Sequence, residues 1–173
     1  MHLSHLIRRF FGSLWIIGPS PDASAWAQSH LTREEVALWT DMSMADRRHS
    51  IVVARRVELS LGIEASQAII AAALLHDVGK SESGLGTYGR VIATISGAVA
   101  GHDANVIRAW TRTTGFTRKV GLYLQHARLG GDLLAMAGSD PLTEAWAREH
   151  HLPSSEWSVP LPIGEALKAA DDD

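Results

Sequence analysis

The chain has 173 residues, 46% of them hydrophobic and 20% charged, a balance that fits one globular domain with a sizeable core and excludes a disordered or fibrous polymer. A formal net charge of -3 supplies no overall basic field, which argues against a nucleic-acid partner held by phosphate neutralisation. Cysteine is absent, so disulfides, a thiolate nucleophile and sulfur-ligated metals are excluded, and any metal must take histidine, aspartate or glutamate.

In chain order, residues 1–30 read as an N-terminal helix and connector, and residues 31–173 as one helical domain. The start carries Arg8 and Arg9 and then a short apolar run, Phe10 to Ile17, interrupted by Gly12 and Ser13. That run is too short to span a bilayer and resembles a leader only superficially; a short helix packed on the domain is the expectation. Pro19 to Ser29 is rich in Pro, Ser and Asp and reads as a connector. Thr32-x-x-Glu35 forms a capping box that opens a helix. From Ser43, His49, Val53, Val57 and Leu61 recur every four residues, which puts His49 on the apolar face, with Gly62 as the stop.

Glu64 to about Val78 is apolar on nearly every side, as a central bundle helix would be. Ser81 to Gly89 is small and polar and reads as an ordinary surface loop, with a flexible flap over a site as the functional alternative. An apolar, glycine-bearing stretch runs from Val91 to Gly101, and Asp103 caps a helix through Trp110. Helices are expected over Phe116 to about Gln125 and Arg128 to about Met136, the latter ended by Gly138. Another begins at Asp140-Pro141 and runs to His150-His151, and a last one runs from Ile163 to Asp171. Strand alternation is scarce, so the predicted fold is an all-α helical bundle.

The nine histidines are the unusual item of composition. His49, His76, His126, His150 and His151 each fall at a predicted helix end or on an apolar face, as do Asp77 and Asp171. Buried imidazoles and carboxylates must be paired or metal-bound to offset desolvation, and a nitrogen- and oxygen-ligated divalent metal, or two of them, would satisfy all seven. His2, His5, His30 and His102 fall outside this set and are expected at the surface.

Three segments carry a resemblance. Arg47-Arg48-His49-Ser50, Leu75-His76-Asp77-Val78-Gly79-Lys80 and Ala169-Ala170-Asp171 together resemble the H…HD…D signature of the HD-domain superfamily of metal-dependent phosphohydrolases. His126-Ala127-Arg128-Leu129-Gly130 and Arg148-Glu149-His150-His151 are similar to the additional ligand motifs of its HD-GYP branch. The resemblance implies an HD-like bundle with a binuclear centre: His49, His76, Asp77 and Asp171 on one metal, Asp77 bridging, and His126, His150 and His151 completing the second. It also implies that Lys80 meets a phosphate or assists the leaving group, with Asp77 and Lys80 as catalytic residues. Fe, Mn, Co, Ni, Zn or Mg all suit such ligands. The implied partner is a small phosphorylated substrate or nucleotide (a phosphomonoester, nucleotide or phosphodiester), with no nucleic acid and no transmembrane segment, in a cytoplasmic protein.

The sequence departs from that branch in three places. Ala127 replaces its proline, Leu152 stands where it has glutamate, and no Gly-Tyr-Pro follows, which argues against cyclic-di-GMP as substrate. Ala45, one turn before His49, is no carboxylate, so a third metal is not expected. A non-catalytic or regulatory metal-binding HD module and a binuclear iron oxygenase are the alternative readings. Gly84-Leu85-Gly86-Thr87-Tyr88-Gly89 matches the dinucleotide fingerprint in form but lacks a preceding strand. The arginine pairs 47–48 and 55–56 read as solvated helix faces, and the six tryptophans as packing residues.

Overall fold

Helix caps written in the sequence set most of the element boundaries. In the computed structural model, which describes residues 18–101 and 103–172, Ser20 accepts the Ala23 amide with Pro21 in the first turn, and α1 runs over Pro21–Ser29. The segment read as a connector is therefore a helix, and its Ala27 is fully buried in the main core. The apolar run 10–17, with Trp15, and His2, His5 and His102 lie outside the described residues.

Thr32 and Glu35 close the predicted capping box and start α2, Arg33–Asp41. Ser43 caps α3, Met44–Leu61, which Gly62 ends at φ 55. Only glycine adopts that left-handed turn without strain. Ser66 caps α4, Gln67–Leu75, preceded by a 3₁₀ turn over Gly62–Glu64. The helix expected over Glu64 to Val78 is thus shorter at both ends. Beyond Leu75 the chain passes His76 and Asp77 and tightens into a 3₁₀ segment, Val78–Ser83.

The rest follows as α5 (Thr87–Val99), α6 (Ala104–Thr111), α7 (Gly115–Leu124), α8 (His126–Ala137), α9 (Pro141–Glu149), a 3₁₀ turn over Ser154–Glu156 and α10 (Leu161–Asp172). Among the described residues every regular element is helical, so the chain is an all-α bundle. No described helix is long and apolar enough to cross a membrane.

The core is built around α4, which is buried from Ile69 to Leu75 and packs against α3 and α9. Complete burial of Leu74 and Leu75 stabilises by roughly 1.5–3 kcal/mol each. α8 lies on α9 and on the 3₁₀ segment 78–83, while α10 lies on α3. Two polar side chains inside this core are paired: the Trp39 indole donates to Ser50 Oγ at 3.1 Å, and Thr143 Oγ1 donates to the Ala68 carbonyl at 3.1 Å. A second, smaller cluster of Leu85, Ala93 and Val120 joins α5 and α7, with Trp110 of α6 packed on it.

Candidate metal centre

Apolar helices place polar ends at one point. α4 finishes on His76, α9 on His150, and α8 begins on His126; all three are buried, as are Asp77 and Asp171. Each of the three imidazoles spends its Nδ1 on a carbonyl of the preceding turn: His76 on Ala73 at 2.9 Å, His126 on Tyr123 at 2.8 Å and His150 on Ala147 at 3.0 Å. A carbonyl only accepts, so Nδ1 carries the hydrogen. In its neutral form each such ring aims the Nε2 lone pair forward, the tautomer lock seen behind metal-ligating histidines.

Those Nε2 atoms converge on Asp77. Its Oδ1 lies 3.4 Å from His126 Nε2 and 3.7 Å from His150 Nε2, while its Oδ2 lies 3.4 Å from His76 Nε2 and pairs with the Lys80 ammonium. Asp171 Oδ1 closes the first side at 2.9 Å from His49 Nε2 and 3.6 Å from His76 Nε2. On the other side, His126 and His151 bring their Nε2 atoms to 3.0 Å. Two ligand groups result, each within 4.8 Å: His49, His76 and Asp77, and Asp77, His126, His150 and His151. Asp77 belongs to both.

Three atoms at this point, His76 Nε2, His150 Nε2 and Asp77 Oδ1, are buried without a hydrogen-bond partner. An unpaired buried acceptor costs about 1–3 kcal/mol, and a cation held at this point would satisfy all three. The donor set fits a divalent ion of nitrogen and oxygen preference, and these buried His and Asp groups can hold one.

Electrostatics agree. Burial opposes ionisation of Asp77, yet the Lys80 ammonium and His76 hold its carboxyl well below the usual range. Burial also works against charging His76, but Asp77 and Asp171 outweigh it and raise the imidazole to about 10. The carboxylates thus demand positive charge, which a proton on His76 supplies in the metal-free chain. His150 is lowered, first by burial, and His151 is lowered by desolvation and by the neighbouring His150 and His126, so both stay neutral and available as ligands.

Local sequence explains the convergence. A Cβ on Gly79 would fall 2.0 Å from the His126 carbonyl and 2.6 Å from the Gly130 amide, and one on Gly130 would fall 3.2 Å from the Gly79 amide. This glycine pair lets segment 78–83 lie directly on α8 and carries Asp77 to His126. Gly131 likewise leaves room for the Arg148 side chain between α8 and α9. Just before the histidine pair, Glu149 accepts from the Ser158 amide and hydroxyl at 2.6 Å each, and the Trp157 indole donates to the Glu149 carbonyl at 3.1 Å. These bonds pin the loop behind His150 and His151.

All seven residues singled out as ligands meet here, and Lys80 joins them. The stretch 81–89 differs from expectation: Ser83 and Leu85 are buried, Ser83 Oγ donates to the Lys80 carbonyl at 2.8 Å, and Arg90 Nε donates to the Leu85 carbonyl at 3.0 Å. It is a bonded, packed turn and not a loose flap. Its Gly84 supplies a left-handed residue and no strand precedes it, which removes the dinucleotide fingerprint.

Sequence reasoning missed Asp46 and Arg90, joined at 2.7 Å beside the centre. Ser43-x-x-Asp46 carried a capping signal, since Ser43 accepts the Asp46 amide at 3.2 Å; nothing local pointed to Arg90.

No known family, characterised protein or solved structure matches the chain.

Proposed function

We propose that the chain is a metal-dependent phosphohydrolase of HD type, acting on a small phosphomonoester, nucleotide or phosphodiester through two divalent ions. The observation that carries the reading is the division of Asp77: its two oxygens face two separate histidine groups, the arrangement a bridging carboxylate needs. Bound divalent ions supply a water of lowered pKa and neutralise charge building on a phosphoryl group.

The chain's own residues do the remainder. His49, His76 and Asp171 hold one side, and His126, His150 and His151 the other, and the Nδ1 atoms of His76, His126 and His150 are tied back to helix carbonyls. Lys80, one turn after Asp77, places an ammonium beside the shared carboxylate, where it neutralises an incoming phosphate or the oxygen that leaves. Burial of the ligand shell limits water and strengthens each of these interactions.

The test is elemental analysis of protein purified without an affinity tag, joined to phosphate or p-nitrophenol release from generic esters. The expected result is two metal ions per chain and hydrolysis that disappears in folded His76→Ala and Asp77→Ala variants. Metal binding without turnover on any phosphoester would instead indicate a regulatory module, and metal-dependent dioxygen consumption an oxygenase.

A further inference from the structure

Charge is unevenly placed along the chain. From Gly84 to Gly131 there are six basic residues and one acid, Asp103, a net of +5, so the rest of a chain of net -3 carries -8. That one acid is spent locally, since Asp103 Oδ1 caps α6 by accepting the Asn105 and Val106 amides at 2.7 and 3.2 Å. Arg90 is held by Asp46, and Arg128 by Asp132. The other four cations, Arg108, Arg112, Arg118 and Lys119, are exposed and pair with no carboxylate among the described residues.

The same lobe carries an apolar face. α5 and α6 both pack on α7 and leave between them a groove of about 380 Å³ lined by Ile95, Ser96, Val99, Ala100 and Trp110. Along α5, Val91, Ile92, Ile95 and Val99 share one side of the helix and are 39, 49, 58 and 84% exposed. Ala98 is exposed beside them, so from Val91 to Val99 this side holds no hydrogen-bonding side chain. A contiguous exposed apolar face of this kind marks an interaction site.

We infer that the lobe of α5 to α7 docks on an anionic phospholipid surface, with α5 lying in the plane of the interface. Its aliphatic side enters the boundary between headgroups and acyl chains, and the exposed cations of the lobe meet anionic headgroups. The 13 residues of α5 make a helix about 20 Å long, which lies on a bilayer and does not span it. Charge and chemistry disfavour other occupants. A second copy seated on the same face would bring two segments of +5 together. Single-stranded nucleic acid stacks its bases on aromatic rings, and valine and isoleucine offer none. A protein partner is recognised partly through directional hydrogen bonds, for which this side of α5 has neither donor nor acceptor side chains.

The test is co-flotation of the full-length protein with phosphatidylcholine vesicles containing about 30% phosphatidylserine, against vesicles of phosphatidylcholine alone. The expected result is recruitment to the anionic vesicles only, weakening as salt is added. Ile95→Asp and Val99→Asp each lower it about tenfold or more, since a charge must then enter the apolar boundary. Arg108→Gln with Arg112→Gln lowers it roughly 25-fold, about fivefold for each charge removed. Met136→Asp, at a 78% exposed position on α8, changes nothing. Circular dichroism and thermal melts show that each variant keeps the parental fold. Absence of recruitment overturns the proposal, as does equal loss with Met136→Asp. It is also overturned if Arg8→Gln with Arg9→Gln abolishes recruitment while Ile95→Asp and Val99→Asp preserve it, which assigns the contact to the start of the chain. Lipid-free dimers that Ile95→Asp dissolves would assign the face to a second copy and overturn it likewise.

Discussion

Asp77 carries two functions in one side chain, because its buried charge balances Lys80 and His76 while its two oxygens address different histidine groups. Replacing it by asparagine removes that balance. On the proposed two-metal reading, Asp77→Asn is expected to abolish metal binding, and it is expected to destabilise the metal-free chain by roughly 3–5 kcal/mol, the penalty for leaving buried charge uncompensated. His151→Ala makes the contrast: His151 is exposed and serves one group only, so on the proposed two-metal reading metal content falls from two to one while the urea midpoint barely moves. Elemental analysis and equilibrium unfolding check both. Gly79→Ala is a subtler change, since its methyl would meet the His126 carbonyl and the Gly130 amide, both backbone groups that cannot swing aside. It is expected to cost roughly 1–3 kcal/mol in unfolding and to lower metal affinity by pushing Asp77 away from His126. The seven candidate ligands were legible in sequence because ligand chemistry is a property of residue type and helix register. Gly79's part was not, since a close approach between Gly79 and Gly130 is a fact of tertiary packing.

At the scale of elements, α5 is fastened to α3 by Asp46 and Arg90. Burial of Asp46 favours the neutral acid, but the Arg90 guanidinium overcomes it and holds the carboxyl below its ordinary value. A depressed folded-state pKa contributes stability that is fully present above the unfolded value of about 3.9 and is lost as pH falls through the folded one. Asp46→Asn should therefore be less stable than the parent by roughly 1–3 kcal/mol near neutrality, with the gap closing below about pH 4 in urea titrations. If the gap is unchanged at acid pH, the ion pair is not its source. The clasp of Glu149 on Ser158 makes a parallel case: Glu149→Ala should speed amide exchange over residues 152–159 and weaken metal binding through His150 and His151. Helix ends at Thr32, Ser43, Asp103, Gly138 and Asp140 were legible because caps are local hydrogen-bond chemistry. The connector that became α1 was misread because Pro, Ser and Asp signal a helix start as readily as a loop, and Ala27 reveals its buried face only once the core is assembled.

Over the whole molecule, stability is unevenly distributed. Among the described residues the main cluster around α4 holds most of the buried apolar residues, and the lobe of α5 to α7 buries only Leu85, Ala93, Ile107 and Val120. Amides of α5 and α6 are accordingly expected to exchange through local opening well below the global unfolding free energy, and those of α4 only on global unfolding. Hydrogen exchange by mass spectrometry separates the two, and Leu74→Ala, costing roughly 2–5 kcal/mol, should speed exchange in α4. The contact between His49 and Asp171 spans 122 positions along the chain. Its ligands become neighbours only when α10 docks on α3, late in sequence and far from local helix formation. On the proposed reading, metal occupancy is therefore a census of finished molecules: a misfolded or partly opened chain, however helical, goes uncounted.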